Sequence, residues 1–487
     1  MDPRAQPERS RFTLWLALIV AVFAAVRWVG MTCDLWLDEI WSLGLVRDVK
    51  APWEILTRVL HDNNHPLNSL WLWLLPPTGP AWTFRFLSWV AGALTVLLAG
   101  LVGRRLFTRL HPDAGGAAAD VAGLITAVLA GSCHLLGHYA SEARGYAPAV
   151  AAALLAVLAL LHRGERGSGR WVVVYALAAI VGLLAHLVTA FVLVAGFAWT
   201  LVGPGWKRGT WRAGLKDLLA WHGGPGVLLA AYYVGFVRRL SIGGGPDNPL
   251  LGVLGDTAAF TFGVPAAAGL LALAVALLIT VVSVAWIARR DRGLAVFFLL
   301  GAVVLPLLGP VLGRFQLLFP RYFIISATLV VMLAGYVGAR AWRAGFSARL
   351  AVVVALALVL AGNAGHSLRL AYDGRGQYRA ALQFMADASA APVVAVTADA
   401  DFRNRPVLGY HAATSGLGRR VRYVPEDRVP RAGVEWFLVH RLDGGPPPAE
   451  VVTDRWGHAY QLAKVFPHAP LSGWDWAVYR RLGPQER

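Results

Sequence analysis

Residues 12–30, FTLWLALIVAVFAAVRWVG, are followed after three residues by DLWLDEIWSL at 34–43. The first stretch is apolar over a length that crosses a bilayer core of about 30 Å. The second sets Asp34, Asp38 and Glu39 where the chain should leave that core. A carboxylate beside hydrocarbon costs free energy unless it is solvated or paired, so acids at such a boundary are functional candidates. Asp34 and Asp38, four residues apart, share a face if one helix runs through both, whereas the adjacent Asp38 and Glu39 point apart. One acid can then act as a general base while its neighbour orients a partner. The plainer reading, that these acids only mark the water interface, stands level with this on the stretch alone.

Outward from this stretch, the chain of 487 residues is 57% hydrophobic and only 15% charged, against about 25% charged in soluble proteins. This composition reads as an integral membrane protein, expected to be all-α and polytopic. The formal charge of +17 could suit nucleic acid, but Arg and Lys fall in short loops between apolar runs, which is the positive-inside pattern. No nucleic-acid partner is expected. Arg4, Arg9 and Arg11 keep the N-terminus cytoplasmic and place the three acids outside. Further apolar runs at 84–101, 121–136, 147–161, 172–185, 191–202, 218–237, 265–288, 294–312, 322–337 and 350–361 bring the expected total to about eleven transmembrane helices. Basic loops such as the one carrying Lys207, Arg208 and Arg212 lie inside; Arg238 and Arg239 fall outside, against the rule. An odd number of spans leaves the C-terminus outside.

Within a first outer loop over 31–66, the spacing of apolar residues in 47–62 predicts an amphipathic helix. The apolar stretch 67–75 is too short to span alone. Residues 1–361 form the transmembrane domain. From 362 to 487 the composition shifts to that of a small soluble α/β domain, expected to be periplasmic or extracellular, with a helix at 378–388 and strands at 392–398, 434–440, 460–466 and 474–479. Asp399 and Asp401 read as turn residues. Cys33 and Cys133 both fall near outer span ends, so a disulfide is open there, although two unrelated small residues are the simpler reading. Neither a zinc-type Cys/His cluster nor a CxxC occurs. No small-residue cleavage site follows the long first run, so a removable signal is not expected.

Other chemistry-bearing residues gather on the same outer face. Ser141-Glu142-Ala143-Arg144-Gly145-Tyr146 lies between two spans, where Glu142 and Arg144 can pair with each other and with a ligand. His65 lies in the first loop, and His186 ends another span, a place where a lone His more often marks the interface than binds a ligand. Arg321 and Tyr322, after Pro320, open the tenth span on the outer side. A guanidinium there suits a phosphate oxyanion, with snorkelling to the interface as the alternative.

Taken in order, Trp36-Leu37-Asp38-Glu39, His65-Pro66, Phe84-Arg85-Phe86-Leu87-Ser88, Ser141 to Tyr146, His186 and Pro320-Arg321-Tyr322 resemble the signature of GT-C fold glycosyltransferases. The resemblance is to the bacterial branch similar to protein O-mannosyltransferases and the lipid A aminoarabinose transferase, and it covers nearly the whole membrane portion. It implies an inverting transfer of a sugar from a polyprenyl-phosphate donor to a lipid, polysaccharide or protein acceptor, on the outer face of the bacterial inner (plasma) membrane. By the same resemblance Asp38 is the base, Glu39, His65, Glu142, Arg144, Tyr146, Arg321 and Tyr322 bind substrate, and Arg144 and Arg321 hold the leaving phosphate. The resemblance leaves open a divalent metal ion on Glu39, Glu142 or His186, since members differ in metal use. The chain departs from the family at His65-Pro66-Leu67-Asn68-Ser69, where His-Pro-Pro-Leu and an aromatic are common. Two rival readings are a transporter or flippase of a lipid-linked substrate and a polysaccharide polymerase or ligase. Transporters set charges near the bilayer midplane, often within inverted repeats, whereas here the acids sit at one face and no repeat is visible. A polymerase or ligase is expected to carry a large outer loop between late spans.

Overall fold

The computed structural model describes residues 5–165, 167–203, 211–312, 317–443 and 445–483, with side chains described from Arg11 onward. Arg4, the Arg9 side chain, Lys207 and Arg208 lie outside these described residues. The chain forms two compact units. The first comprises Met1–Trp28, Val49–Trp71 and Arg85–Ser367, and the second Val29–Asp48, Leu72–Phe84 and Leu368–Arg487.

The described residues of the first unit are mainly helical. Among the described residues six helices are long and apolar enough to cross a membrane, including Arg11–Met31, Ala81–Leu110, Ala266–Ala288, Arg292–Val311 and Pro320–Trp342. The pair Gly116–Ser132 and His134–Ala140, bent by 62°, makes a seventh if taken as one crossing. Tyr146–Leu161, Gly169–Ala185, Leu187–Val202 and Leu250–Phe262 are apolar but shorter. A helix of about 17 residues rises only about 26 Å, so the expected total of about eleven spans is not reached by length alone.

Three sequence expectations differ from the structure. The stretch 47–62 is not one amphipathic helix: only Glu54–Thr57 is helical, because Pro52 disfavours a helical Ala51 before it and cannot donate a backbone bond. The run at 218–237 is helical up to Gly235 but continues a helix that includes Trp211–Leu218, with a π-helical turn at Leu219–Gly223 before Gly224–Gly235. The helix Leu250–Phe262 had no counterpart among the predicted spans; it starts after Pro249 and stops at Gly263, whose φ of 75° needs the freedom of glycine.

Burial explains how this bundle tolerates polar groups. Tyr146–Leu161 is buried around nearly its whole circumference, as expected for a helix that is apolar on all sides. Arg27, inside the first long helix, is buried and donates to the backbone carbonyls of Gly92, Ala130 and Gly131. Spare backbone acceptors thus satisfy a charge that would be expensive in lipid. Gly335 lets its helix approach Thr126 closely, since a Cβ at 335 would fall 2.1 Å from the Thr126 Oγ1.

In the second unit a six-stranded mixed sheet has the order β2-β1-β3-β6-β5-β4. Its strands are β1 (Val394–Ala398), β2 (Val421–Tyr423), β3 (Trp436–Arg441), β4 (Val451–Thr453), β5 (Ala459–Phe466) and β6 (Asp475–Arg481). β1 runs parallel to β2 and β3, and the remaining pairs are antiparallel. The expected strands and the helix Tyr378–Ala388 are present. The short strands β2 and β4 and the helix Asp401–Thr414 were not foreseen. Asp401 opens that helix and accepts from the Tyr423 hydroxyl at 2.5 Å, so it ties the helix to the sheet.

A charged network closes this domain. His468 Nδ1 lies 2.6 Å from Asp475 and its Nε2 lies 3.2 Å from Asp443. Burial alone would lower the imidazole, but the bonds to Asp443 and Asp475 outweigh it and hold His468 up at about 9. A folded value raised above the unfolded one, near about 6.5, means that the stabilisation is complete below about 6.5 and lost as pH rises through about 9. Hydrogen exchange of the 465–481 region in the intact protein should therefore accelerate across that window, by up to about 2–3 kcal/mol of protection. His468→Gln should remove the pH dependence; an unchanged slope in that variant would contradict the assignment.

Candidate active site

The predicted site residues fall into two groups, one in each unit. In the first unit Ser141 to Gly145 forms a tight turn between His134–Ala140 and Tyr146–Leu161. Two buried side chains hold its backbone: Asn68 Nδ2 donates to the Ala143 carbonyl at 2.8 Å, and Ser88 Oγ to that of Arg144 at 3.0 Å. Asn68 lies in the stretch that departs from the family pattern, and here it clamps the turn that presents Arg144. Its neighbour Ser69 donates to Asn64 at 2.7 Å, and Asn64 in turn donates to the Ile55 and Val59 carbonyls at 2.8 and 2.7 Å. The first-loop segment before Pro66 is thereby fastened to the same turn.

Around Arg144 a compact aromatic and cationic cluster forms. His65 Nε2 accepts from the Arg144 guanidinium at 2.9 and 3.2 Å. The His65 ring stacks on His186 with centroids 4.8 Å apart, Tyr146 lies 4.5 Å from His186, and Arg144 stands over Tyr146 at 5.4 Å. Gly145 is needed at this approach: a Cβ there would lie 1.9 Å from the Ala185 carbonyl oxygen. Burial first, then the charges of Arg144, His186 and Arg321, hold His65 well below its ordinary range. His65 is therefore neutral at physiological pH and serves as an acceptor that aims Arg144, adding no charge of its own. Arg321, buried at the start of Pro320–Trp342, stands over Phe319 at 4.0 Å and Tyr322 at 5.6 Å and acts electrostatically on His65. Tyr322 also packs against the apolar cluster of Val253, Leu318 and Phe323. Glu142 is fully buried beside Tyr139 and Tyr146 in the same cluster.

Asp38 and Glu39 belong to the second unit. The helix there starts only at Leu37, so Asp34 lies outside it and the expected shared face of Asp34 and Asp38 does not form. Asp38 stands second in the helix, where the exposed N–H groups favour a negative charge. It is half-buried. Glu39, fully buried, accepts from the Trp36 backbone N–H at 3.3 Å and so ties down the helix start. Asp34 is a structural anchor: its carboxylate accepts from the Arg379 backbone at 2.8 Å and from Arg379 Nε at 2.5 Å. Arg403, from the helix Asp401–Thr414, brings a cation towards Asp38 and Asp399. Burial lowers this guanidinium, against the opposing pull of those carboxylates.

Two of the expected metal donors, Glu39 and His186, make bonds within their own elements. Among the described residues no group of three or more His, Cys, Asp or Glu side chains converges. Glu39 ties down its helix start, and His186 Nδ1 accepts from the Val188 backbone at 3.1 Å. Cys33 and Cys133 are both free thiols. No role is read from sequence for Asn68, Ser88, Gly145 or Tyr139, although Ser88 and Gly145 belong to the pattern quoted above.

No family model and no curated protein matches the chain. Solved structures do. ArnT from Cupriavidus metallidurans in the apo state aligns over 96% of this chain and 98% of that one, with a TM-score of 0.50 and 13% identity. The same protein bound to undecaprenyl phosphate aligns over 98% and 99%, with a TM-score of 0.49 and 14% identity. The Archaeoglobus fulgidus oligosaccharyltransferase in complex with Zn and sulfate aligns over 87% and 68%, with a TM-score of 0.44 and 12% identity. The first of these likenesses shows the architecture: the chain has the GT-C fold, a multi-helical membrane portion joined to a small sheet domain.

Proposed function

We propose that this protein is an inverting glycosyltransferase that moves a sugar from a polyprenyl-phosphate donor to an acceptor on the outer face of the bacterial inner membrane. The observation that carries this reading is the Arg144 cluster, a buried guanidinium aimed by a neutral histidine and joined electrostatically by Arg321. Two buried guanidinium groups acting on the same histidine suit a phosphate monoanion or dianion.

In the proposed reaction Asp38 removes the proton of an acceptor hydroxyl, and that oxygen attacks the anomeric carbon from the face opposite the phosphate. The bond from the anomeric carbon to phosphate oxygen breaks, and polyprenyl phosphate leaves with the electron pair. Arg144 and Arg321 stabilise the charge that builds on this leaving group. Tyr146 and His186 pack beside Arg144 and Tyr322 beside Arg321, and the buried Glu142 belongs to the same cluster. Glu39 keeps Asp38 at the helix start, and no step is routed through a metal. The likeness to ArnT supports the fold that this chemistry needs. A cytoplasmic N-terminus, a transmembrane domain over residues 1–361 and the outer placement of residues 362–487 belong to the proposal.

The test is to incubate purified protein with radiolabelled polyprenyl-phosphate mannose or polyprenyl-phosphate aminoarabinose and membrane extract. Label should pass from the lipid donor to a new acceptor. Label that stays on the donor with both substrates, in protein shown to be folded, would count against the reading.

A further inference from the structure

The loop that carries Asp38 is fastened to the C-terminal domain at three successive points, all within the second unit. The buried guanidinium of Arg375 donates to the Gly30 carbonyl at 3.0 Å. Asp34 caps the helix Tyr378–Ala388 through the Arg379 N–H at 2.8 Å and pairs with Arg379 Nε at 2.5 Å. The Leu35 carbonyl accepts from His411 Nε2 at 2.8 Å. Leu35, Trp36 and Leu37 are buried, and the helix of Asp38 begins two residues after the third anchor.

The capping is chemically specific. Gln377, which precedes the helix Tyr378–Ala388, makes no side-chain cap of its own. The exposed N–H groups of such an end need an acceptor and favour a carboxylate. Asp34 supplies it from 345 residues away. Its side chain is only 9% exposed, whereas that of Arg379 is 53% exposed, so the arginine can be altered without opening a core. Arg375 is held from behind in turn: its carbonyl accepts from Tyr378 Oη at 2.9 Å, and the backbone at Gly473 passes too close to it to admit a Cβ.

We propose that the C-terminal domain positions the Asp38 loop for catalysis, with Asp34, Arg379, Arg375 and His411 as positioning residues. This rests on the reading of Asp38 as the base. A base must stand within hydrogen-bond reach of the proton it takes, and a displacement of about 1 Å in such a geometry can cost about 100-fold in rate. Three anchors within six residues remove the freedom that would allow such a displacement.

The test compares Arg379→Ala, Asp34→Ala, Asp34→Asn and Asp38→Asn in the full-length protein. Two readouts are used: transfer from the radiolabelled donor that the wild type accepts, and hydrogen exchange of residues 29–46. Asp34→Ala should lower kcat by roughly 10- to 100-fold with donor KM within about two-fold, because the loop and not the phosphate site is released. Arg379→Ala should lower it less, since its backbone N–H still meets Asp34. Asp34→Asn, which keeps an acceptor for that N–H, should recover some of the loss. Exchange in 29–46 should accelerate in the same order, while that of the Tyr146–Leu161 helix stays unchanged. Wild-type kcat and exchange in Asp34→Ala and Arg379→Ala, alongside an inactive Asp38→Asn, would overturn the positioning role and leave the proposed reaction standing. An active Asp38→Asn would instead remove the base assignment, and the catalytic role of the clamp with it.

Discussion

Asp38→Asn is expected to abolish transfer, with a fall in kcat of roughly 1,000-fold or more, at the upper end of what a general base contributes. The substitution keeps the size and polarity of the side chain and removes only its ability to hold a proton. The fold should tolerate it. Asp38 lies at the first turn of Leu37–Val46, where loss of its charge costs about 0.3–1 kcal/mol of helix stabilisation, and Glu39 still ties down that turn. Arg403 would lose one of its two carboxylate neighbours and keep Asp399. Binding of donor, measured by its protection against thermal unfolding, should be unchanged. Activity within about ten-fold of wild type would mean that another group takes the acceptor proton.

Arg144→Ala is expected to have the next largest effect, roughly 100- to 1,000-fold in kcat, the scale seen when a donor to a developing oxyanion is removed. Its guanidinium is buried and placed by His65 at 2.9 Å, so no solvent-exposed cation can replace it. Arg144→Lys should recover only a small fraction, because an ammonium restores the charge without the planar fork. Arg144→Ala, which removes the charge, should also bring His65 up towards its ordinary range. Burial is the largest cause of its depression, and the Arg144 charge comes next. An NMR titration of the His65 ring would show this as a proton taken up at higher pH in Arg144→Ala than in the wild type. A kcat close to wild type in Arg144→Ala would remove the phosphate-holding role.

What could be read from the sequence was local in character. The long apolar runs and the basic loops describe the helical membrane domain because hydropathy and charge need no knowledge of partners. Arg144, His65 and His186 come together in the structure, and each belongs to the sequence pattern that carries the resemblance. What could not be read depends on distant pairing. Asp34 looks like an interface acid until Arg379 is seen against it, and Asn68 looks like a departure from a pattern until it meets the Ala143 carbonyl. His468 gains its high affinity for a proton from Asp443 and Asp475, a meeting that the fold of the sheet domain creates. The strands β2 and β4, three residues each, are too short to show a period. The helix Leu250–Phe262 fell in the gap between a Gly/Pro-rich loop and a longer apolar run.

The most direct measurement follows the fate of the lipid carrier in sealed vesicles that contain the purified protein. Polyprenyl-phosphate sugar, labelled in the sugar and followed by phosphorus NMR of the lipid fraction, is supplied with membrane extract. Glycosyl transfer predicts that free polyprenyl phosphate appears in step with labelled acceptor, and that the Asp38→Asn protein leaves the donor intact. Donor that crosses the bilayer with its sugar still attached, at equal rates in the wild type and Asp38→Asn, would contradict transfer and establish a flippase.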